Sequence, residues 1–416
     1  MENFLSHTDE DRAQMLDVVG VKSADELFNV IPEAAKMPDL PLGEAISEFA
    51  ASKKIKVLAD SNKVDYLNFM GGGAYSRYIP AAVSAVTSRF EFLSAYTPYQ
   101  PEVSQGTLQA MYEFQTYIAR ICGADVSNSS VYDGATACAE ALLASVRINK
   151  IPSVWVDKNI NPNYLEVIKT YLWAQDIKLA IGENPEGEYS AKLYQFPNYL
   201  GELEEIPAKS GKELIIVAVD IFALALCEPP EADFIVGDFG SCGLPVNFGG
   251  PYGGFIACKD AHKRQLAGRI IGKTIDKDGN PAFCLTLSAR EQHIRREKAT
   301  SNICSNQAHC ALTACVYLSL LGENGFKKVA KKSYDNAHNL AQKLVAAGYE
   351  IENKNFFQEF VLKLSKVSAD EFLSKMEDNG ILAGIKLDDT RVLVTTTEIL
   401  DNEDIEKYAE CAKSLV

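Results

Sequence analysis

Three stretches carry the residue types and spacings that could do chemistry. Residues 232–257, ADFIVGDFGSCGLPVNFGGPYGGFIA, read as a strand, a glycine-rich loop and a second strand. Ahead of them the hydrophobic run LIIVAVD ends in Asp220. A carboxylate at such a strand end suits a ring nitrogen that must stay protonated. Tyr132-Asp133-Gly134-Ala135-Thr136-Ala137 joins a strand to a helix. The start of a helix offers backbone N–H groups and the positive end of a dipole to a phosphate. A nucleophilic amine is missing, because residues 232–257 contain no lysine.

This outline resembles the loop that holds pyridoxal phosphate (PLP) in the large aminotransferase-type fold. That fold needs a lysine here to form an imine with the cofactor aldehyde. Asp133 stands at the helix entrance, either as an ordinary N-cap or as a carboxylate competing with phosphate for the same N–H groups. Both readings disfavour a bound phosphate. The chain keeps the acid and lacks the nucleophile, so Asp133, Gly134, Thr136 and Asp220 read as a vestigial pocket. A subunit or half-enzyme is expected.

Residues 96–106, YTPYQPEVSQG, form a polar loop stiffened by two prolines. Proline lowers the ordering cost of holding side chains in place. Such a loop suits a small polar substrate, or is a structural connection. Residues 290–302, REQHIRREKATSN, are charge-dense. Arginine there fits carboxylate or phosphate recognition, and Thr300-Ser301-Asn302 reads as an anion clamp at a helix start. A solvated face is the alternative.

The elements that must position these residues alternate. Strands are expected at residues 126–132, 153–156, 178–181, 214–219, 234–236 and 255–258. Helices are expected at 135–146 and 164–173, and a long helical region at 290–321. Near-continuous apolar strands between helices mean a mostly parallel sheet covered on both faces. After Gly322-Glu323-Asn324-Gly325 a small α+β unit follows, with helices at 329–347, 369–379 and 404–415 and strands at 359–363 and 391–395. Residues 1–60 read as a helical arm, started by Thr8 with Asp11 and restarted at Ser23, and broken by Pro32, Pro38 and Pro41. The expected domains are therefore 1–60, 61–321 and 322–416.

Other motifs are weaker. Gly71-Gly72-Gly73 is a tight turn rather than a dinucleotide fingerprint. Residues 268–274, GRIIGKT, are one residue short of a phosphate loop. Asp276-Lys277-Asp278-Gly279 is a turn rather than a calcium loop.

The chain has 416 residues, enough for two or three structural units. Its net charge of −15 argues against nucleic acid and anionic membranes as partners. The amino terminus is acidic where a secretory signal would be basic, and no apolar run is long enough to span a bilayer. The 10 cysteines form no CxxC pair, so reduced thiols in the cytoplasm are expected and a metal site is not.

Taken together, YTPYQPEVSQG, YDGATACAEA, NFGGPYGGF and REQHIRREKATSNIC are similar to one family: the P-protein of the glycine cleavage system, in the alpha chain of its two-chain bacterial form. TDEDRAQMLDVVGVKSADELF and FMGGGAY…YIP match it as well. The motifs are long, in order, and run from about residue 4 through the small domain. The resemblance implies a fold type I PLP-dependent transferase, α/β, with a small C-terminal α+β domain. It implies a PLP-bearing, lysine-bearing beta chain in an α2β2 assembly. It also implies glycine decarboxylation, with the aminomethyl group passing to the lipoyl arm of H-protein and CO2 leaving. By spacing from Pro245, Gly240 takes the place of the absent lysine. Tyr96, Tyr99, Gln100 and Glu102, with Gln105, would contribute to the partner's site, and Thr300, Ser301 and Asn302 would reach its PLP phosphate. One departure is Ser76-Arg77, where the family commonly has Asp-His: if that histidine matters to catalysis, Arg77 puts its role in doubt, whereas a surface role at the subunit contact would tolerate the change. Two rivals remain: a self-contained PLP enzyme using Lys259 or Lys273, and a non-catalytic scaffold that kept the fold.

Overall fold

The computed structural model describes residues 7–36, 41–62, 65–246 and 249–415. Pro38 and the Asn247-Phe248 part of the glycine-rich loop lie outside the described residues. The described chain groups into two compact units that divide between Asn62 and Asp65.

The first unit holds helices Asp9–Val19 and Glu48–Asp60 and two short 3-10 turns, Ala24–Val30 and Glu33–Ala35. Thr8 and Asp11 form a reciprocal capping box: the Asp11 N–H donates to Thr8 Oγ1 at 3.2 Å and the Thr8 N–H to Asp11 Oδ2 at 2.8 Å. Ser23 makes no such bond. None of these elements buries a residue, and Val18, Val30 and Phe49 are among its most exposed side chains.

The second unit is built on a seven-stranded sheet. In spatial order the strands are Val126–Ser127, Gly254–Cys258, Phe234–Asp238, Leu214–Val219, Ala191–Phe196, Ser153–Asp157 and Lys178–Gly182. The last five run parallel; only the pairings of Gly254–Cys258 are antiparallel. All six residues of Leu214–Val219 are buried, as a central strand covered on both faces requires. Its alternation divides the core. Ile215, Val217 and Val219 join Phe114 and Ile118 of helix Gln105–Ile121 and Ala314 of helix Ala308–Ala346. Leu214, Ile216 and Ala218 join Leu142 of helix Gly134–Asn149 and Ile168 and Leu172 of helix Pro162–Trp173.

A second, antiparallel sheet runs in the order Glu350–Ile351, Glu359–Lys363, Arg391–Thr395, Ile385–Lys386. Helices Ala369–Asp378 and Asn402–Lys413 cover it with the far half of Ala308–Ala346. Gly322 interrupts that long helix with φ 57° and ψ −177°, at the break the sequence suggested.

The long helical region expected at 290–321 is present only from Ala308. Residues 288–298 are short turns, and the helix begins at Ala308. Leu287 (φ 55°) and Arg296 (φ 53°) leave helical geometry, and Arg290 turns inward to donate to the carbonyls of Leu266 and Gly268. The GRIIGKT stretch is the strand Ile270–Ile275. It pairs with Pro281–Thr286 across the Asp276 turn, as a hairpin the sequence reading missed. Among the described residues no helix is long and apolar enough to cross a membrane, and no cluster could hold a metal ion.

Candidate functional site

Ligands of open parallel sheets bind at the carboxyl ends of the strands. Here those ends carry Gln195, Asp220 and Asp238, which line one cavity with Tyr75, Tyr164, Tyr252 and Glu359. No lysine lines it.

The phosphate end of this cavity is closed by the chain's own carboxylates. Asp133 caps helix Gly134–Asn149, accepting from the Thr136 N–H at 2.7 Å. Asp238, the last residue of its strand, accepts from the Gly134 N–H at 2.6 Å and from the Tyr164 hydroxyl. Two carboxyl groups thus hold the N–H groups a phosphate would need. A Cβ at residue 134 would sit 2.4 Å from the Tyr164 hydroxyl and 2.7 Å from Asp238 Oδ2, so both side chains would have to shift. Burial pushes the Asp238 carboxyl up to about 7; the hydrogen bonds from Tyr164 and Gly134 oppose the shift and the charge of Asp133 adds to it.

The ring-nitrogen end is also committed. Asp220 accepts from the Gln358 side-chain amide at 2.7 Å and from the Phe222 N–H at 2.9 Å. Burial raises its pKa, and Arg77 is the largest opposing influence. Glu359 accepts from the Gly72 N–H (2.7 Å), the Tyr75 hydroxyl (3.0 Å) and the Thr395 hydroxyl (2.5 Å). Desolvation still pushes its carboxyl up to about 7. The cavity left among these groups is about 50 Å³, room for little more than water, where cofactor sites occupy some hundreds of Å³. PLP does not fit this pocket. Lys259 lines a different cleft and faces Glu231 at 3.9 Å, while Lys273 lies on the exposed hairpin. Neither lysine lines the pocket.

Of the remaining expected residues, Tyr96 lines a second cavity that shares no lining residue with the first, and Tyr99 meets it through Arg269; Gln100, Glu102, Gln105, Thr300, Ser301 and Asn302 line neither. Tyr96 is largely exposed and its hydroxyl lies 3.4 Å from Ser305 Oγ. The Tyr99 hydroxyl accepts from Arg269 Nη2 at 3.4 Å, and its ring meets His293 edge-on at 5.0 Å. Gln100 and Glu102 are exposed and make no side-chain hydrogen bond among the described residues. Gln105 brackets the hairpin through both the N–H and the carbonyl of Phe283, which is a structural role. Thr300, Ser301 and Asn302 do not stand at a helix start, since the helix begins at Ala308. The Thr300 N–H donates to the Arg290 carbonyl, Ser301 Oγ to Glu140 Oε1 at 2.5 Å, and Asn302 accepts from Gln292 at 3.3 Å. The side chains of Ser301 and Asn302 are therefore already engaged within the chain.

The profile of the glycine cleavage system P-protein family matches residues 2–411. "Probable glycine dehydrogenase (decarboxylating) subunit 1" of Thermotoga maritima is 41% identical, with 99% of each chain covered. The protein of the same name from Francisella tularensis subsp. novicida is 40% identical, over 100% of this chain and 99% of that one. The chain belongs to the P-protein family. A solved glycine decarboxylase P-protein in inhibitor-bound form superposes with TM-score 0.93 at 38% identity, covering 100% of both chains. Aspartate aminotransferase from Thermus thermophilus, at 13% identity and TM-score 0.58, shares the fold: the PLP-dependent, aminotransferase-like α/β fold.

Against this P-protein background, Arg77 is not at the surface, which corrects the expectation of a subunit contact. Its side chain is 1% exposed and pairs with Glu398 at 2.7 Å. It also donates to Gln358 at 2.8 Å and Ser333 at 3.1 Å, with the guanidinium 3.7 Å over the Phe222 ring. The sequence reading missed Asp238, Tyr164, Tyr252 and Glu359. Asp238 had a signal: an acid closing an apolar strand beside the glycine-rich loop.

At Gly240 a Cβ would lie 2.3 Å from Cδ2 of the Tyr252 ring. Gly240→Ala is therefore expected to lower unfolding free energy by about 1–3 kcal/mol. Gly240→Ala/Tyr252→Leu should recover most of the loss. Urea denaturation checks both; equal stability of Gly240→Ala and the parent would mean the ring is free to move.

Proposed function

We propose that this chain is the glycine decarboxylase subunit that lacks the imine-forming lysine and completes a partner's active site. The observation that carries the reading is the closed pocket: no lysine, both helix N–H groups held by Asp133 and Asp238, and no room for the cofactor. PLP is then expected on a homologous beta chain in an α2β2 assembly, with glycine as substrate and the lipoyl arm of H-protein as acceptor, in the cytoplasm. On this reading Tyr96 and Tyr99 form a wall of the shared site, with Gln100 and Glu102 at its rim. Thr300, Ser301 and Asn302 would reach the partner's PLP phosphate, with Ser301 held by Glu140 and Asn302 by Gln292. The division at about residue 321 into a large and a small domain goes with this reading, the break at Gly322 being the joint.

The test is reconstitution. The purified chain mixed with PLP should show no imine absorbance and no adduct after borohydride. Adding a lysine-bearing partner and lipoylated H-protein should give glycine-dependent CO2 release. A trapped adduct on any lysine of this chain would overturn the reading. In the reconstituted enzyme Tyr99→Phe should lower turnover about tenfold, the weight of one hydrogen bond. Assembly, read by sedimentation, should not change. Unaltered kinetics would remove Tyr99 from the site.

A further inference from the structure

The cavity beside Tyr96 and Tyr99 has a volume of about 230 Å³. One side is apolar: Phe92, Ala95, Pro98, Met111 and Leu312. The other is polar and holds Arg269 at the start of helix Ala308–Ala346. Arg269 is 4% exposed, so its charge sits away from bulk water. A guanidinium has five N–H donors, and buried ones need acceptors. Among the described residues two find one: Nη1 donates to the Cys304 carbonyl at 2.9 Å, and Nη2 makes a long bond to Tyr99 at 3.4 Å. Nε has no hydrogen-bond partner; the nearest carboxylate, Glu291 Oε2, stands at 3.6 Å. Glu291 offsets part of the charge. The same carboxylate oxygen lies 3.7 Å from His293 Nδ1, and its charge acts on Arg290 as well.

The helix adds a second, independent feature. Gln307 at its N-cap position makes no side-chain capping bond. The first N–H to find an intrahelical acceptor is that of Ala311, on the Gln307 carbonyl at 2.9 Å. The open first turn and the under-satisfied guanidinium border the same space, with the hydroxyls of Tyr96 and Ser305 at its edge.

We propose that Arg269 and the first turn of helix Ala308–Ala346 form an anion-binding pocket for a carboxylate or phosphate carried on a small apolar body. The pocket itself stands on this chain alone. Only the source of the anion rests on the shared-site reading: the carboxylate of glycine or the phosphate of a partner-held cofactor.

The isolated full chain tests the pocket with inorganic phosphate, titrated by calorimetry. Saturable binding is expected with a Kd of about 1 mM or tighter. Arg269→Gln should weaken it at least about tenfold, and Arg269→Lys should retain part of it, because a point charge replaces a fork. Thermal unfolding of each variant checks the fold; if the glutamine variant does not fold, the lysine variant carries the comparison. No saturable binding, or equal binding by parent and variant, overturns the proposal. In the reconstituted enzyme, Arg269→Lys then names the source: a higher KM for glycine assigns the carboxylate, weaker PLP retention the phosphate. If neither moves, the pocket has no part in the reaction and that assignment fails. Failure of the shared-site reading would leave phosphate binding by the isolated chain standing, so the two results are separable.

Discussion

Arg77→Ala is expected to lower the unfolding free energy by about 3–5 kcal/mol, the cost of breaking a buried ion pair from one side. The reason is what remains behind. Glu398, 11% exposed at the side chain, would lose its partner at 2.7 Å. Gln358 would lose the donor to its carbonyl oxygen while its amide still holds Asp220. Asp220 would lose the positive charge that opposes the burial penalty on its carboxylate. The guanidinium also covers the Phe222 ring, so packing is lost along with charge. Arg77→Lys should fall between, because an ammonium cannot reach Glu398, Gln358 and Ser333 together from one planar fork. Urea denaturation at fixed pH measures both. A loss of under 1 kcal/mol for the alanine variant would mean that water enters and replaces the network. Glu398→Gln separates charge from packing: it removes the carboxylate and leaves Arg77 stacked on Phe222.

Arg77 also marks where the sequence stops being readable. Its neighbours Ser333, Gln358 and Glu398 lie more than two hundred residues away, and nothing local distinguishes a buried arginine from a surface one. Strands such as Leu214–Val219 and Glu359–Lys363 were legible because burial on both faces leaves a continuous apolar run. Strand Ala191–Phe196 was not, since AKLYQF mixes a lysine and a glutamine into a parallel strand. The hairpin at Ile270–Ile275 was hidden by its exposed, charged outer half. The missing lysine and the role of Asp133 were visible because each is a local fact about one loop or one helix end. Asp238 required knowing that its strand ends against the Gly134 N–H, a contact across 104 residues. The helix start expected at Thr300-Ser301-Asn302 was inferred from composition; short turns occupy residues 288–298 and the helix begins at Ala308.

The second large effect is a pH dependence that Asp238→Asn should remove. The Asp238 carboxyl is pushed up to about 7 in the folded chain from an ordinary value of 3.8. Between these values the folded state holds a proton that the unfolded chain has released. Stability must therefore fall as pH rises. The contribution is fully present below about pH 4, is lost through about pH 7, and is flat above. At 1.36 kcal/mol per pKa unit the loss is at most roughly 4 kcal/mol. Glu359 acts in the same direction over the same window. Glu213 and Asp233, held down at about 2 by their hydrogen bonds and cationic neighbours, act in the opposite sense and only as pH falls below about 4. Unfolding free energies at pH 5 and pH 8 therefore leave out the lowered pair; burial raises Asp220 and Glu140 as well, so the difference between parent and variant is what isolates Asp238. Asparagine keeps the shape of Asp238 and an oxygen for the Gly134 N–H, and its amide can donate to the Tyr164 oxygen. The variant should lose about 2–4 kcal/mol less than the parent between pH 5 and pH 8, and should be the more stable chain at pH 8. The remaining slope should belong to Glu359 and the other carboxyls that burial raises, Asp220 and Glu140 among them. Parallel stability curves for parent and variant would show that Asp238 stays ionised at the helix start, held by the dipole and the Tyr164 hydroxyl against its burial. In that case the lock on the phosphate end would be a charge rather than a shared proton.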